Sequence, residues 1–320
     1  MRSLLWSLWT IVAAFVALDT LGSEKSDVNV LIAGDLLFQS PPGNISVPVS
    51  LATIHLHSRA LPVYSKHTES TFLYGGPPSS SAPNGKILKI RTNTSSGGAI
   101  VAGAFDTVNS PKSQDEFCSV SSYDGSAFVK IGGSLCQSVF GGSNMEILAL
   151  EMTNSNSQLY VGGSFITRVW NGATHDFDKI ENIAHFNATS SVWSAPFRDG
   201  VLKTKTGEQV VVTSLAFDEE SQSLFMGGNF GIIRLNTATN VKKSLHFGVA
   251  NVRAFGGMDA GARALYVVGN LIDGCRVGRF FVDDEKFQCL DDPNFAVAGV
   301  SVNLSLYALE WYYYRTQKRA

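Results

Sequence analysis

Charged residues are scarce in this sequence of 320 residues. Asp, Glu, Lys and Arg make up 16% of the chain, and the formal net charge is -2. Binding to a nucleic-acid backbone needs a cluster of excess positive charge. The basic cluster Arg315, Lys318 and Arg319 stands at the end of the sequence, where a solvated tail explains it. We therefore expect no nucleic acid as a partner.

Long apolar runs are also rare, and the clearest one lies at the start of the sequence. The run Leu4 to Leu18 follows the basic start Met1-Arg2, and Thr20-Leu21-Gly22 offers small residues for signal peptidase. The run is shorter than the roughly 20 residues that a membrane span needs. We predict a signal peptide at residues 1–22 and a secreted or cell-surface protein. Membrane association is expected only if this segment stays uncleaved or if the chain is a piece of a longer protein.

Cysteine is limited to four residues, in two pairs. Cys118 and Cys136 flank one predicted hairpin, and Cys275 and Cys289 flank another. Partners across an antiparallel ladder lie close enough for a disulfide, which an oxidising compartment would preserve. A zinc site is the alternative, but no CxxC spacing occurs. We predict disulfides joining 118 to 136 and 275 to 289.

Glycine is abundant, with 30 residues, and several glycines belong to a repeated phrase. Leu159-Tyr-Val-Gly-Gly-Ser-Phe165 and Leu224-Phe-Met-Gly-Gly-Asn-Phe230 are copies of one element, and Leu265-Tyr-Val-Val-Gly-Asn-Leu271 is a third. Weaker copies begin at Ile100 and Leu31. Alignment of the five copies places Gly34, Gly103, Gly163, Gly228 and Gly269 in register.

Each copy is preceded by a short apolar strand and a polar turn, and is followed by another strand–turn–strand segment. Four antiparallel strands per repeat are typical of β-propeller blades. We predict an all-β propeller of about five blades, within a range of four to six, and an incomplete ring is an alternative. In that arrangement the glycines would relieve crowding around a central channel. A β-sandwich is the alternative, although it does not require one phrase to recur.

The phrases LYVGGSF, LFMGGNF and LYVVGN, followed by NIAHFNATSSVW, resemble kelch-type β-propeller repeats. They are most similar to the propellers of fungal cortical-marker proteins used in bud-site selection. The resemblance covers about residues 28 to 300 and implies a propeller fold. The cortical markers are longer and end in a membrane anchor that this sequence does not show, so their cellular role does not follow from it.

The repeat pattern also predicts the domain organisation. After the signal peptide we expect an irregular first blade and an exposed loop at residues 23–85, and kelch-like blades at residues 86–311. A polar and aromatic tail follows at residues 312–320. Val302 to Trp311 forms a degenerate sixth copy.

Motifs that carry catalysis are missing from the sequence. No G-x-S-x-G, HExxH, P-loop or EF-hand pattern occurs, and Ser122 to Phe128 departs from the sialidase box in its spacing. His55 and His57 would share one strand face, but no third metal ligand accompanies them. We predict no catalytic residue, no metal site and no cofactor.

The sequons at Asn44, Asn93 and Asn187 are predicted glycosylation sites, whereas the sequon at Asn303 lies in an apolar strand. Together these features favour a non-catalytic module that binds a protein or a glycan through loops at the rim of the propeller. The alternatives are a secreted hydrolase or oxidoreductase with a site at the channel mouth, and a fragment of a larger membrane-anchored protein.

Overall fold

The structure is a computed structural model of the full chain. It describes residues 16–24, 27–39, 46–57, 63–66, 72–74, 86–93, 98–104, 107–109, 119–123, 128–132, 135, 146–171, 175–197, 202, 204, 207–245, 251–259, 262–271 and 274–290. The chain divides into two compact units, Met1–Cys136 and Gln137–Ala320. Every strand in the described ranges belongs to an antiparallel sheet.

The first unit holds two four-stranded sheets and one two-stranded sheet among its described residues. Sheet 1 consists of β1 (Val16–Glu24), β2 (Asp27–Gln39), β3 (Ser46–His57) and β4 (Val63–Lys66). Sheet 2 consists of β6 (Lys86–Asn93), β7 (Gly98–Ala104), β9 (Val120–Tyr123) and β10 (Phe128–Val129), while β5 (Phe72–Tyr74) pairs with β8 (Thr107–Asn109). Strand β1 overlaps the predicted signal peptide, so cleavage after Gly22 would remove seven of its nine residues.

The second unit holds three consecutive four-stranded sheets. Sheet 3 consists of β11 (Glu146–Met152), β12 (Gln158–Asn171), β13 (Asp176–Asn187) and β14 (Val192–Ser194). Sheet 4 consists of β15 (Val212–Asp218), β16 (Ser223–Gly228), β17 (Gly231–Asn236) and β18 (Val241–Leu245). Sheet 5 consists of β19 (Asn251–Asp259), β20 (Ala264–Asn270), β21 (Val277–Phe281) and β22 (Lys286–Cys289). In each sheet the strands lie side by side in sequence order.

Neighbouring sheets of the second unit pack face to face and supply its core. The first strands β11, β15 and β19 contact one another in sequence order. Between sheets 4 and 5, the buried rings of Phe225 and Phe280 meet at a centroid distance of 5.9 Å. A second cluster joins Tyr160 and Ile183 of sheet 3 to Val212 and Met226 of sheet 4. Burial of each large apolar side chain contributes about 1.5 to 3 kcal/mol.

The repeat glycines occupy one shared position in the second strand of their sheets. Gly34 pairs with Val16, Gly103 with Ile87, Gly163 with Ile147, Gly228 with Val212 and Gly269 with Val252. In sheets 2 to 5 the register skips the next residue of the first strand, which makes a β-bulge opposite each glycine. The bulged residues are Leu88, Leu148, Thr213 and Arg253.

The bulge explains why these positions need glycine, and it corrects the expectation of crowding at a channel. A Cβ atom on Gly163 would overlap the backbone oxygen of Glu146, which the bulge pushes toward β12. Gly228 and Gly269 face the same kind of obstacle. The glycines therefore relieve a close approach within their own sheet. The nearest atom to each of these three Cβ positions is a backbone oxygen of the first strand of the same sheet, or of the residue just before that strand.

The glycine before the repeat glycine has a separate role between sheets. A Cβ atom on Gly162 would lie 2.5 Å from Cγ1 of Val212 in sheet 4. A Cβ atom on Gly227 would likewise lie 2.5 Å from Cγ1 of Val252 in sheet 5. In each Gly-Gly pair, the second glycine therefore leaves room for a backbone oxygen of its own sheet. The first glycine leaves room for a valine of the next sheet.

These observations confirm the prediction of an all-β propeller fold with four-stranded antiparallel blades. Five such sheets occur, of which four have described side chains, in agreement with the expected four to six. The proposed sixth copy at Val302 to Trp311 lies outside the described residues. Helices that could cross a membrane are not found in the described part of the chain.

Candidate functional site

The two ends of the sheets in the second unit differ in their connections. At one end, short turns join first to second strands and third to fourth strands. In the β17–β18 turn, for example, the Thr239 amide donates to Asn236 Oδ1 at 2.9 Å and the Asn240 amide donates to the Asn236 carbonyl at 2.8 Å. At the other end, where second strands lead to third strands, the length of the connection varies from sheet to sheet.

A cluster of ion pairs between neighbouring sheets lies at the end with the short turns. The Arg263 guanidinium, in the β19–β20 turn, bonds to Asp218 Oδ2 at 3.1 Å and to Asp283 Oδ1 at 2.8 Å. It also forms an ion pair with Glu220. Since Asp218 belongs to sheet 4 and Asp283 to sheet 5, this arginine joins two blades. The opposite end also has contacts between sheets, such as the hydrogen bond from Thr213 Oγ1 to the Val252 carbonyl at 2.6 Å.

The longest ordered insertion at the opposite end is an extension of the β12–β13 hairpin. We call Ile166–Asn171 together with Asp176–Glu181 the ribbon. Its strands pair in register from Ile166 opposite Glu181 to Asn171 opposite Asp176. In sheet 4 the equivalent hairpin closes at once, because Gly228 pairs with Gly231. The ribbon therefore projects beyond the end of the neighbouring hairpin.

The base of the ribbon is fixed by buried residues on one of its faces. Phe165, Thr167 and Ile180 are almost fully buried. Asn182 interrupts the register of β13 with a φ of 61°, and its Oδ1 accepts a hydrogen bond from the Phe165 amide at 3.4 Å. Asparagine tolerates this left-handed conformation better than most residues. The direction of the ribbon is thus set by local backbone geometry and by burial of one face.

The other face of the ribbon is exposed and carries three large apolar side chains, and we call it the aromatic face. Ile166, Trp170 and Phe177 lie on it with exposed fractions of 41%, 51% and 53%. Trp170 stands directly opposite Phe177, and their rings meet edge to face at 5.2 Å. His175 packs edge to face against the same tryptophan at 6.4 Å. Among the described residues, this face carries the large exposed aromatic side chains of the chain.

Charged residues also lie on the aromatic face. Arg168 lies directly opposite Lys179, so two cations share one cross-strand position. The Lys179 ammonium forms an ion pair with Glu181, whose side chain is only 14% exposed, while that of Lys179 is 57% exposed. The aromatic face therefore combines large apolar side chains with charged ones.

A second polar group lies between sheets 3 and 4. The Tyr160 ring stacks on His185 at 4.9 Å and on Phe217 at 5.9 Å. Burial raises the pKa of Tyr160 to about 12, and a hydrogen bond to Thr237 opposes this shift. Burial also lowers the pKa of His185, whose ring bonds to Ser194 Oγ at 3.3 Å and to Gln158. These groups are held inside a packed interface, which suits them to a structural role.

The predicted cysteine pairs have different outcomes. A disulfide joins Cys275 to Cys289 as expected, with 5.9 Å between their Cα atoms. It links the β20–β21 connection to the outer strand β22. Cys118 and Cys136 lie outside the described residues. The hairpin between them contains β9 and β10, as the sequence predicts.

The predicted sequons remain predictions. Asn187 is the last residue of β13, and its Oδ1 accepts hydrogen bonds from the amides of Thr189 at 2.9 Å and Ser190 at 3.2 Å. Asn93 ends β6, and Asn44 and Asn303 lie outside the described residues. His55 and His57 lie in β3, of which only the backbone is described. Groups of three or more His, Cys, Asp or Glu that could hold a metal do not occur in the described residues.

The aromatic face is not among the sites predicted from the sequence. The stretch Phe165-Ile-Thr-Arg-Val-Trp170 is rich in aromatic and β-branched residues, which favour a strand that continues past the repeated phrase. It has no period-two alternation, so it does not show which face a neighbouring sheet covers. The burial of Thr167 and Ile180 and the exposure of Trp170 and Phe177 supply that information.

Comparison with known proteins gives no family. No protein family matches the sequence, and no curated protein sequence matches it. Among solved structures, a nidogen/laminin complex is similar with a TM-score of 0.46 and 13% identity, over 88% of this chain and 79% of that chain. A GH74 enzyme of Niastella koreensis is similar with a TM-score of 0.41 and 11% identity, over 93% of this chain and 39% of the enzyme. Similarity at this level does not identify a function.

Proposed function

We propose that this chain is a secreted or cell-surface β-propeller that binds a protein partner through the aromatic face, without catalysis. The observation that carries the proposal is the cross-strand pair of Trp170 and Phe177, about half exposed on a ribbon whose base is buried. A few hot-spot residues carry most of the binding energy in protein interfaces, and tryptophan is enriched among them, while Phe is enriched in interfaces generally. In the unbound protein the side chains of Trp170 and Phe177 expose apolar surface to water. Binding of a partner would bury that surface, which is favourable.

The rigidity of the ribbon supports the same proposal. An isolated two-stranded hairpin is marginally stable in water. Here Phe165, Thr167 and Ile180 anchor the base, so the exposed rings are held in place before a partner arrives. Preorganised side chains lose less conformational entropy on binding than mobile ones do.

The proposed class of the protein rests on its repeats. The phrases LYVGGSF and LFMGGNF support a kelch-type propeller with repeats like those of the fungal cortical markers. The apolar run Leu4 to Leu18 supports export. Recovery of the protein outside the cell, with an amino terminus near Ser23, would test export. Retention inside the cell with an intact Met1 would contradict it.

The binding proposal can be tested with intact cells of the organism that makes the protein. The fluorescently labelled full chain is titrated onto the cells, and binding of wild type is compared with that of a W170S/F177S variant. We expect saturable binding that weakens about 30-fold or more in the variant, since each hot-spot residue contributes about 2 kcal/mol or more. Equal binding by both proteins would contradict the proposal.

A matched control comes from exposed apolar residues elsewhere in the unit. Val192 on β14 and Val241 on β18 are exposed by 47% and 60%. The V192S/V241S variant removes two apolar side chains with similar exposed fractions away from the ribbon and should bind like wild type. Protease treatment of the cells should abolish binding. If periodate abolishes it instead and protease does not, the partner is a glycan.

A further inference from the structure

We infer that Asn187 carries an N-linked glycan and that this glycan protects the outer edge of sheet 3. The inference concerns a modification of the chain and not the partner of the aromatic face. It rests on the proposed function only in requiring that the chain enters the secretory pathway. Asn187 is the residue at which β13 ends, whereas the ribbon lies at the other end of the same strand.

The side chain of Asn187 is held in an orientation that leaves its nitrogen available. Oδ1 accepts hydrogen bonds from the amides of Thr189 at 2.9 Å and Ser190 at 3.2 Å, which fixes the side chain in the turn. Nδ2 has no hydrogen-bond partner among the residues that the structure describes. Residues 188–192 are exposed, so the turn leaves space for a bulky group on Nδ2. The folded turn is therefore compatible with a glycan.

Attachment requires a lipid-linked oligosaccharide as the glycan donor. The sequon Asn187-Ala-Thr189 is the acceptor signal. Nδ2 of Asn187 forms a bond to the anomeric carbon of the donor sugar, and the bond from that carbon to the polyprenyl diphosphate breaks. The diphosphate leaves with the bonding electrons, and Nδ2 loses one proton. The carbonyl of the side chain is retained, so Oδ1 can still accept the hydrogen bonds of the turn.

The equivalent turn of sheet 4 has a similar geometry without a sequon. Asn236 ends β17 as Asn187 ends β13, and its Oδ1 accepts a hydrogen bond from the Thr239 amide at 2.9 Å. In both sheets a valine begins the fourth strand directly opposite the asparagine. Two residues after Asn236, however, stands Ala238, which has no hydroxyl group. The two turns therefore differ in the acceptor signal and not in the position of the asparagine.

The outer strands of the two sheets also differ in how their edges are protected. β18 of sheet 4 contains Lys242 and Lys243, and charged side chains on an edge strand oppose pairing with another chain. β14 of sheet 3 (Val192–Ser194) carries no charge. Val192 is 47% exposed and pairs directly with Asn187. The uncharged edge therefore lies beside the asparagine that has a sequon.

A glycan on Asn187 would supply the protection that charge supplies in sheet 4. β14 has only three residues, so a single hydrated glycan opposite its first residue is large enough to cover it. An open edge is a place where chains pair, and a bulky hydrophilic group excludes a second chain from it. The ribbon, at the opposite end of β13, stays accessible to a partner.

Use of the site is tested by expressing the full chain in a yeast that secretes glycoproteins. One form keeps its own amino terminus, and a second has a signal sequence of the host fused ahead of Met1. The peptide that contains Asn187 is analysed by mass spectrometry before and after treatment with peptide N-glycosidase. We expect a glycan on Asn187 in wild type and in T189S, which retains the sequon, and none in T189A.

The A238T variant is the matched control in sheet 4. It creates an acceptor sequon at Asn236 on a turn of similar geometry, so Asn236 should become glycosylated in this variant and not in wild type. The W170S/F177S variant should carry the same glycan on Asn187 as wild type, because the ribbon lies at the other end of β13. Modification of Asn236 in A238T without modification of Asn187 would overturn the inference.

The protective role is tested by sedimentation velocity of secreted T189S and T189A. T189A keeps Asn187 and the backbone amide of residue 189, so the hydrogen bond of the turn is retained. We expect T189A to self-associate at a concentration about tenfold lower than T189S, a difference of about 1.4 kcal/mol. T189A/V192K, which places a charge on the edge as in β18, should behave like T189S.

The outcomes separate this inference from the proposed function. A bare Asn187 in the form with the host signal sequence would overturn the inference and leave the aromatic face as proposed. A glycan in that form, but not in the form with the native amino terminus, would support the site and contradict the proposed export. Equal self-association of T189A and T189S, or no rescue by V192K, would overturn the protective role.

Discussion

The β12–β13 and β16–β17 hairpins begin with nearly the same phrase and end differently. After Gly228, the turn Asn229-Phe230 reverses the chain, and Gly231 opens β17 with a φ of 90°. After Gly163, the chain instead continues into the ribbon and returns to the same place at Asn182, which has a φ of 61°. In both hairpins the third strand starts or resumes its pairing at or next to a residue with positive φ, Gly231 in sheet 4 and Asn182 in sheet 3. This holds although the number of residues after the repeat glycine differs.

This comparison shows where the fold accepts change. In sheet 4 the turn is held by Asn229, whose Oδ1 accepts a hydrogen bond from Val211 at 3.0 Å and whose Nδ2 donates to the Gln209 carbonyl at 2.7 Å. In sheet 3 the same closure is provided by Asn182 and Phe165. The four-stranded sheet has the same strand order in both cases. Residues inserted between the second and third strands can therefore vary in sequence and form binding sites.

The largest effect should follow from adding a methyl group at the shared glycine. Gly228→Ala should lower the free energy of unfolding by roughly 3 kcal/mol, because the Cβ atom would overlap a backbone oxygen that cannot rotate away. Gly163→Ala should lower the free energy of unfolding by a similar amount, because the two hairpins have the same geometry at the repeat glycine. Urea unfolding measures both values.

Gly207 provides the control for the glycine substitutions. It has a φ of 76°, and no atom lies within 4 Å of an added Cβ atom. Gly207→Ala should therefore cost only about 1 kcal/mol, from the left-handed conformation alone. Equal losses at Gly207 and Gly228 would contradict the role assigned to the bulge.

The next effect concerns the third hairpin, β20–β21, whose connection is closed covalently. The C275A/C289A variant removes a link across a sequence separation of 14. A loop of this size contributes roughly 2 to 3 kcal/mol on the chain-entropy model. The midpoint of urea unfolding should fall accordingly. An unchanged midpoint would show that hydrogen bonds such as that from the Leu271 amide to the Cys275 carbonyl, at 2.8 Å, suffice.

A smaller, pH-dependent effect should distinguish sheets 3 and 4. His185 pairs with Tyr160 in sheet 3, and Arg234 pairs with Phe225 at the matching position in sheet 4. Because burial lowers the pKa of His185 below its usual value near 6.5, the unfolded chain takes up the proton first as pH falls. This contribution to stability is present above pH 6.5 and is lost as the pH drops below that value.

The H185Q variant tests the assignment of this pH dependence. Glutamine keeps hydrogen-bonding capacity toward Gln158 and Ser194 but does not titrate. The fall in unfolding free energy below pH 6.5 should be shallower in H185Q than in wild type. The same slope in both proteins would assign the effect to other groups.

The smallest effect on stability should come from trimming the ribbon. Replacing residues 168–179 with Asn-Gly joins Thr167 to Ile180, a directly opposite pair, through a two-residue hairpin turn. The buried base is retained, so the unfolding free energy should change by less than about 1 kcal/mol. Binding to cells should be lost. Loss of folding would show that the ribbon belongs to the framework after all.

The sequence predicts the repeating hairpins well because each strand and turn is a local pattern. Strands β15 to β17, for instance, follow the short apolar runs and polar turn residues between Val212 and Asn236. The disulfide between Cys275 and Cys289 is also predictable, since both cysteines flank one hairpin. The in-register glycines follow directly from the repeated phrase.

Other features could not be predicted because they depend on partners distant in sequence. The overlap that selects Gly163 comes from Glu146, a residue of the preceding strand displaced by a bulge. The contact between Tyr160 and Phe217 joins two sheets. The exposure of Trp170 depends on how far the neighbouring sheet extends over β12. Sequence patterns give faces and strands, but only three-dimensional packing shows which face stays uncovered.

The contacts between glycine and valine also give the series of blades a direction. Val212 packs on Gly162 and Val252 packs on Gly227, so in both contacts the glycine precedes the valine in the sequence. A ribosome would therefore synthesise each glycine before the valine that packs on it. Each completed sheet can act as a template for the one that emerges next, which favours vectorial growth of this unit during translation.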